Sequence, residues 1–202
     1  MRLLVATTNA NKLREIRPLL AGLDVDLVTL ADLPRVPEPA ETADTFWENA
    51  REKALAYARA TGHVTVAEDS GLVIDALGGE PGVRSARYLG EGTSYPDRFT
   101  DIYRRLAGLP AGPRDAHFVT ALAVARAGAI VFEVETRIDG VIAAAPSGAH
   151  GFGYDPIFLY PPLGRTTADL LPEEKAAVSH RARAFRDLRR AIRADRVAIL
   201  GD

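Results

Sequence analysis

The sequence contains no cysteine, one methionine and one tryptophan among its 202 residues. Without cysteine, the chain forms no disulfide, offers no thiolate nucleophile and builds no cysteine-ligated zinc site. A basic excess is also absent, because 25 Lys and Arg residues stand against 27 Asp and Glu residues and give a formal net charge of −2. General nucleic-acid-binding proteins usually carry a positive excess, so the composition argues against that class.

Long apolar segments are missing as well. No apolar run reaches the 18 residues or so that a membrane-spanning helix needs. The N-terminal segment MRLLVATTNANK turns polar too early for a secretory signal peptide. Hydrophobic residues make up 47% of the chain and charged residues 26%, as in ordinary globular proteins. We therefore expect a cytoplasmic protein, with residues 1–202 forming a single domain.

Apolar periodicity predicts an alternation of strands and helices. Strands are predicted at residues 3–6, 25–30, 64–67 and 72–74, with a hairpin formed by 117–126 and 130–139. Helices are predicted at residues 13–20, 45–60 and 94–106, with a final helix that opens at Pro172. Pro18 should kink or shorten the first helix, and residues 34–42 and 78–92 are predicted to be surface loops. This mixed order predicts an α/β fold with a mixed sheet.

The segment ATTNANKLREI, residues 6–16, places a polar loop between the end of a strand and the start of a helix. Helix-start N–H groups, hydroxyls, amides and one ammonium together favour a phosphate group. The side chains concerned are those of Thr7, Thr8, Asn9, Asn11 and Lys12. The same residue types are common helix caps, so the segment alone leaves both interpretations open. No Walker A pattern is present, which argues against an ordinary P-loop kinase or ATPase.

Two adjacent carboxylates, Glu68 and Asp69, stand between two apolar runs in TVAEDSGLVIDAL, residues 65–77. A tight turn would explain them, because Asp, Ser and Gly are common turn residues. Alternatively, Asp69 would bind a divalent cation or take a proton from an attacking water. Neighbouring residues of extended backbone point to opposite faces, so only one of the two carboxylates should serve such a site. Glu38 or Glu41 in the proline-rich loop would then add oxygens for Mg²⁺.

Two further segments carry candidate binding residues. In GFGYDPIF, residues 151–158, aromatic residues flanked by glycines would stack on a nucleobase, although one of them packing into the core is an equal alternative. In EEKAAVSHRARAFRDL, residues 173–188, Arg181 continues the helical stripe of Phe185, Leu188 and Ile192 and should therefore face inward. The alternative is an arginine whose charged end reaches solvent. Lys175 and Ser179 are spaced to converge on one helix face.

Taken together and in order, five motifs make the chain resemble the inosine triphosphate pyrophosphatases, the dITP/XTP pyrophosphatases that clean purine nucleotide pools. The motifs are TTNANK, TFWENAREKA, EDSGLVIDALGGEPGVRSARY, GFGYDPIF and EEKAAVSHRARA. The resemblance extends from about Leu3 to Ile192. It implies an elongated mixed sheet flanked by helices, two lobes with an active-site cleft between them, a Mg²⁺ cofactor and a homodimer. No nucleic-acid or membrane partner is implied.

The resemblance also implies a set of site residues. Asp69 would be the catalytic carboxylate and a Mg²⁺ ligand, with Glu41 as a less certain second ligand and Glu38 or Glu68 as alternatives. The substrate-binding residues would be Thr7, Thr8, Asn9, Ala10, Asn11, Lys12, Ser70, Phe152, Gly153, Tyr154, Asp155, Lys175, His180 and Arg181. Two departures from many relatives are Thr8, where glycine is common, and Glu68, where bacterial relatives have aspartate. Neither departure removes Asp69.

The implied reaction is hydrolysis between the α and β phosphates, which gives a nucleoside monophosphate and pyrophosphate. Hypoxanthine and xanthine present the acceptor O6, whereas adenine presents an amino group there, so the donors of His180 and Arg181 would favour the former. Three other readings remain: a non-catalytic purine-nucleotide-binding module, a nucleic-acid-binding protein that uses the arginine-rich final helix, and a pyrophosphatase for modified pyrimidine nucleotides.

Overall fold

The computed structural model describes residues 1–201 and contains seven strands and six α-helices within that range. The strands are β1 Arg2–Val5, β2 Asp26–Thr29, β3 Val64–Ile74, β4 Asp115–Arg126, β5 Ala129–Ile142, β6 Phe158–Tyr160 and β7 Arg165–Thr166. The α-helices are α1 Ala10–Leu20, α2 Phe46–Thr61, α3 Tyr95–Ala107, α4 Pro172–Val178, α5 His180–Ala194 and α6 Arg196–Leu200. None of these helices is long and apolar enough to cross a membrane.

The strands form one mixed sheet in the order β2-β1-β3-β4-β5-β6-β7. Strand β1 runs parallel to both β2 and β3, with Leu4 opposite Val28 on one side and Thr65 on the other. Strand β6 runs antiparallel to β5 and β7. The predicted hairpin is present: Ala127 and Gly128 connect β4 to β5 with positive φ angles of 49° and 83°, as a tight turn between twisted strands requires. The predicted α/β class and mixed sheet are confirmed.

The chain divides into two compact units. Unit 1 comprises residues 1–69, 120–136 and 180–202, and unit 2 comprises residues 70–119 and 137–179. In unit 1, apolar residues of β1, α1 and α5 share one core, in which Leu3, Ile16 and Phe185 are almost fully buried. In unit 2, residues of β3, α3 and β6 form a second core around Leu72, Ile102 and Phe158. Each unit therefore carries its own hydrophobic cluster.

The predicted turn at Glu68–Gly71 is wrong. Residues 64–74 form one continuous strand of 11 residues, and all but Ser70 and Val73 are buried. Local turn preferences of Asp, Ser and Gly give way here to strand pairing and burial on both faces. The two carboxylates thus lie in the middle of a strand and not at its end.

Two other expectations also need correction. The glycine-rich segment 78–92 is not a plain surface loop, because Gly82–Arg87 form a 3₁₀ helix and Ser85 is buried. The final helix is not continuous, because Ser179 has extended ψ of 151° and separates α4 from α5. Ser179 therefore lies outside α4, and the prediction that Lys175 and Ser179 converge on one helix face is wrong. Pro18 lies inside α1, which ends two residues later at Leu20.

Candidate active site

The loop between β1 and α1 is organised by its own side chains. Asn9 caps the helix, and its Oδ1 accepts hydrogen bonds from Asn11 N at 2.9 Å and Lys12 N at 3.2 Å. Thr7 Oγ1 accepts one from Asn9 N at 3.1 Å. Two N–H groups that the sequence suggested for phosphate therefore serve the cap, as the alternative interpretation held. The cap fixes the start of α1 and with it the position of Lys12.

A buried ion-pair cluster joins β3 to α1 and α5. Glu68 Oε1 accepts a hydrogen bond from Arg181 Nε at 2.8 Å and lies 3.5 Å from Lys12 Nζ. Arg181 Nη1 donates to Glu15 Oε2 at 2.6 Å. Both Glu68 and Arg181 are almost inaccessible, at 3% and 2% exposure. The prediction that Arg181 faces inward is confirmed, and its nearest charged partners are protein carboxylates.

This cluster decides the protonation state of Glu68. Desolvation raises the pKa of Glu68, but the attraction of Arg181 and Lys12 outweighs it and lowers that pKa to about 2. Burial lowers the pKa of Lys12, with Glu68 opposing that effect. Glu68 Oε2 is buried and accepts no hydrogen bond within residues 1–201. The carboxylate of Glu68 is therefore a fixed anion that holds two cations in place.

Asp69 occupies a different environment from its neighbour. Its Oδ2 accepts a hydrogen bond from Asn49 Nδ2 of α2 at 2.9 Å, and the residue is 5% exposed. Burial raises the pKa of Asp69, Lys53 opposes this effect, and Glu41 adds to it. The partners of the two carboxylates thus come from different helices, as the alternation of side chains along a strand requires.

Asn49 and Lys53 connect Asp69 to the proline-rich loop. Asn49 Oδ1 accepts a hydrogen bond from Ala43 N at 3.1 Å, so one amide side chain holds both the loop backbone and Asp69. Lys53 Nζ forms an ion pair with Glu41 and donates to the backbone oxygen of Glu68 at 3.3 Å. These contacts keep Glu41 on the Asp69 side of β3, whereas Glu38 is exposed.

Asp69 and Glu41 offer two carboxylates on the same side of β3. Within the described residues, no group of three or more His, Cys, Asp or Glu side chains is arranged to hold a metal. Mg²⁺ commonly takes one or two carboxylates and completes its shell with water and substrate phosphates. Asp69 and Glu41 lie close enough for Glu41 to raise the pKa of Asp69, so they fit that two-carboxylate pattern.

In unit 2, the segment 151–155 is folded around the buried carboxylate of Asp155. Asp155 Oδ2 accepts a hydrogen bond from Phe152 N at 2.7 Å and pairs with Lys175, while Oδ1 accepts one from Thr167 Oγ1 at 2.8 Å. Gly151 has a φ of +71°, and a Cβ on it would lie 2.1 Å from Asp155 Oδ2. Glycine is therefore required at this position.

The two aromatic residues of this segment differ in exposure. Tyr154 is 4% exposed and belongs to the core of unit 2, whereas Phe152 is half-buried. Lys175 Nζ lies 5.1 Å from the centre of the Phe152 ring. Phe152 is consequently the more accessible of the two rings, with a cation beside it.

The remaining predicted residues are placed as follows. Ser70 follows Asp69 on β3 and is the first residue of unit 2. His180 is buried at the start of α5, where its backbone oxygen accepts a hydrogen bond from Thr136 Oγ1 at 2.7 Å. Thr7 and Thr8 line a pocket of about 430 Å³ in unit 1 together with Tyr57, Arg35 and Glu38.

Sequence reasoning missed Glu15, Asn49 and Lys53 as members of the site. Two signals for them were present. Glu15 stands three residues after Lys12, so both occupy one face of α1. Asn49 and Lys53 are four residues apart and adjoin the buried Ala50 and Ala54, which indicates polar side chains at the buried edge of α2.

Comparison with known proteins places this arrangement in a family. The family model described as the Ham1 family matches residues 3–191. The dITP/XTP pyrophosphatase of Geobacillus kaustophilus is 48% identical over 186 residues, covering 92% of this chain and 91% of the relative. The dITP/XTP pyrophosphatase of Gloeobacter violaceus is 49% identical with the same coverage of both chains.

Solved structures agree with the sequence relatives. A HAM1 protein from Coxiella burnetii matches with a TM-score of 0.90 and 36% identity, covering 96% of this chain and 99% of that one. A structure described as a nucleoside-triphosphatase, dITP/XTP pyrophosphatase, from Mycobacterium abscessus matches with a TM-score of 0.75 and 44% identity, covering 93% and 98%. The resemblance inferred from the five motifs is confirmed, and the chain belongs to the Ham1 family.

Proposed function

We propose that this protein hydrolyses deaminated purine nucleoside triphosphates, namely ITP, dITP and XTP, to the monophosphate and pyrophosphate. The observation that carries the proposal is Asp69, a buried carboxylate on a strand, held by an amide and flanked by Lys53 and Glu41. Relatives named dITP/XTP pyrophosphatases, 41–49% identical, support the substrate class. The reaction would remove non-standard purine nucleotides from the precursor pool.

Different residues of unit 1 would act on the attacking water and on the triphosphate. Asp69 orients or deprotonates the attacking water, and Asn49 fixes the direction of its carboxylate. Lys12, with the residues of the loop 7–11, binds the triphosphate and offsets its charge. Glu68 keeps Lys12 and Arg181 in place, because both cations lie against its Oε1.

Asp69 and Glu41 would hold Mg²⁺. When bound, the ion neutralises charge that develops on the pyrophosphate leaving group. Lys53 pairs with Glu41 and so keeps that carboxylate on the Asp69 side of the strand. Glu41 is the better candidate for the second ligand than Glu38, which is exposed on the loop.

Base recognition would use the segment around Phe152 in unit 2. Phe152 stacks on the purine, and Gly153 and Tyr154 contribute backbone next to it. Lys175 and Asp155 form an ion pair beside that ring. Ser70 contacts the substrate next to Asp69. His180 and Arg181 donate to O6 of hypoxanthine or xanthine, an atom that adenine replaces with a donor group.

Pyrophosphate release is the direct test of this proposal. Incubation with ITP and Mg²⁺ should give inosine monophosphate and pyrophosphate in equal amounts, with no orthophosphate. Separation of products by ion-exchange chromatography distinguishes the cleavage positions. Inosine diphosphate with orthophosphate would show that the β–γ bond is cut and would contradict the assignment.

Two alternatives are separated by a substrate panel at equal concentrations. A non-catalytic purine-nucleotide-binding module would bind ITP and release nothing. A pyrophosphatase for modified pyrimidine nucleotides would release pyrophosphate from those substrates faster than from ITP. The conjunction of Asp69, Asn49 and Lys53 favours the enzyme, because a binding module has no need for a buried carboxylate held by an amide.

We further propose a homodimer that works in the cytoplasm without nucleic-acid or membrane partners. The segment VRSARYL, residues 83–89, is the candidate contact, and Leu89 at its end is 50% exposed. Light scattering at assay concentration should give about twice the 21.7 kDa mass of one chain. A mass near 21.7 kDa would reject the dimer.

A further inference from the structure

Unit 2 contains a buried arginine that pairs with no carboxylate among the described residues. Arg98 of α3 is 3% exposed, and its Nη1 donates to the backbone oxygen of Ser85 at 3.1 Å. Its Nη2 donates to Gly90 O at 3.5 Å, and its guanidinium lies 4.9 Å from the ring centre of Tyr95. Its Nε is buried and has no hydrogen-bond partner within residues 1–201. Desolvation of a cation without an anion is costly. The hydrogen bonds of Arg98 to Ser85 and Gly90 and its contact with the Tyr95 ring offset part of that cost.

The Ser85 carbonyl that Arg98 binds also anchors the loop that carries Phe152. Tyr154 Oη donates to Ser85 O at 3.0 Å, so one oxygen accepts from both side chains. The Ser85 side chain in turn accepts a hydrogen bond from Leu72 N of β3 at 2.9 Å and donates to Gly82 O at 2.6 Å. Ser85 is thereby a fixed point between β3, α3 and the loop.

Phe152 lies two residues before Tyr154, the residue that binds this anchor. Gly151 and Gly153, on either side of Phe152, have φ angles of +71° and +67° and add no side-chain contacts of their own. The loop is fixed by the side chains that follow, Tyr154 and Asp155. The Tyr154 ring also packs edge-on against Tyr95, with 5.3 Å between ring centres, and Arg98 lies over that same Tyr95 ring.

We propose that Arg98 is a positioning residue for base selection: by clamping the Ser85 carbonyl together with Tyr154, it sets the place of Phe152 and hence the orientation in which the stacked base presents its O6 edge. This inference rests on the proposed function, because it takes Phe152 as the stacking residue. Burial raises the pKa of Tyr154, so its hydroxyl stays protonated and remains a donor to Ser85. Arg98 itself does not touch the substrate in this role.

The test compares Arg98→Met, Arg98→Lys and Tyr154→Phe with the wild type. Arg98→Met keeps an unbranched apolar stem of similar size and removes both donors, whereas Arg98→Lys retains one charged donor. Loss of one such hydrogen bond corresponds to about a 2- to 13-fold change in binding. We expect Arg98→Met to raise the KM for ITP by about 10-fold, with a smaller change in kcat, because a displaced stacking ring weakens ground and transition states alike.

Selectivity is the readout that a merely structural role would not change. The ratio of kcat/KM for ITP over ATP should fall by several-fold in Arg98→Met and Tyr154→Phe, and Arg98→Lys should recover part of it. Because both side chains act on one oxygen, the double variant should lose less than the product of the single effects. Two matched controls on α3 should keep wild-type KM and selectivity: Arg104→Met at an exposed arginine, and Tyr103→Phe, whose hydroxyl has no partner within residues 1–201.

The possible outcomes distinguish failure of the positioning role of Arg98 from failure of the proposed hydrolysis of ITP. A wild type that releases no pyrophosphate from ITP refutes the proposed function. An active wild type, with lowered Tm in the variants but unchanged KM and ITP/ATP ratio, refutes the positioning role alone. If Arg98→Met does not fold, Tyr154→Phe decides, since it removes one hydroxyl and retains the ring packing. Raised KM with reduced selectivity in Tyr154→Phe supports the proposal.

Discussion

Replacement of Asp69 by Asn should reduce kcat for ITP by about 10³- to 10⁴-fold, near the upper range for loss of a general base. The amide has the shape of the carboxylate but is neither a base nor an anionic metal ligand. The fold should be retained, because burial disfavours the charge of Asp69, as its raised pKa indicates. Steady-state pyrophosphate release and thermal unfolding, measured on the same preparation, separate these two effects.

Two control variants sharpen this test. Glu52→Gln makes the same chemical change on the exposed side of α2 and should leave kcat unchanged. Glu68→Gln should reduce kcat less than Asp69→Asn, because Glu68 pairs with Lys12 and Arg181 and has no assigned role at the attacking water. If Glu68→Gln were the more damaging substitution for kcat, the catalytic carboxylate would have been assigned to the wrong residue.

Replacement of Arg181 by Ala should have the largest effect on stability, about 3–5 kcal/mol in the free energy of unfolding, as for other broken buried ion pairs. The substitution leaves Glu68 buried with only Lys12, and it removes the partner of Glu15. Urea unfolding measures the loss. Arg193→Ala, at an exposed position of the same helix, should change stability by less than about 0.5 kcal/mol.

The Arg181→Ala variant also tests base recognition. If Arg181 donates to O6, its loss should reduce kcat/KM for ITP by about 10- to 150-fold and for ATP by less, which narrows the ratio between them. An unchanged ratio would mean that Arg181 serves phosphate binding or structure alone. Arg181→Lys keeps the charge near Glu68 and should recover part of the stability, which makes the kinetic comparison possible if the alanine variant unfolds.

Low pH should weaken the ion-pair cluster of Glu68, Arg181 and Lys12. The pKa of Glu68 is about 2 in the folded chain and near 4.5 when it is exposed, so its ionised form stabilises the fold. A lowered folded-state pKa means that this stabilisation is complete above about pH 4.5 and disappears as the pH falls towards 2. The contribution of Arg181 to stability should therefore be greatest at neutral pH, where the comparison with Arg181→Ala belongs.

Periodicity correctly predicted the features that depend on one element at a time. The helical stripe through Phe185 and Leu188 placed Arg181 on the buried face, and strand alternation separated the partners of Glu68 from those of Asp69. Partners from other elements, such as Glu15 and Asn49, depend on tertiary packing, which a single sequence does not specify. The motif resemblance supplied the family, and periodicity alone would not have done so.

The errors share one physical cause. At residues 68–71, local turn preference was outweighed by pairing and burial of the whole strand. At Ser179, no proline or glycine marks the break between α4 and α5, so helical spacing appeared continuous. At residues 82–87, glycine content suggested a loop, whereas a buried Ser85 holds a 3₁₀ helix in place. In each case, contacts with distant residues overrode the local signal.

Gly151 cannot be replaced by any other amino acid without displacing its neighbours. Every amino-acid change in its codon introduces a Cβ atom, which would lie 2.1 Å from Asp155 Oδ2 on a backbone with a φ of +71°. Asp155 also binds Phe152 N and Lys175, so any shift that makes room is transmitted to both. A single added methyl group would thus displace the ring and the cation beside it, and the codon can drift only through synonymous changes.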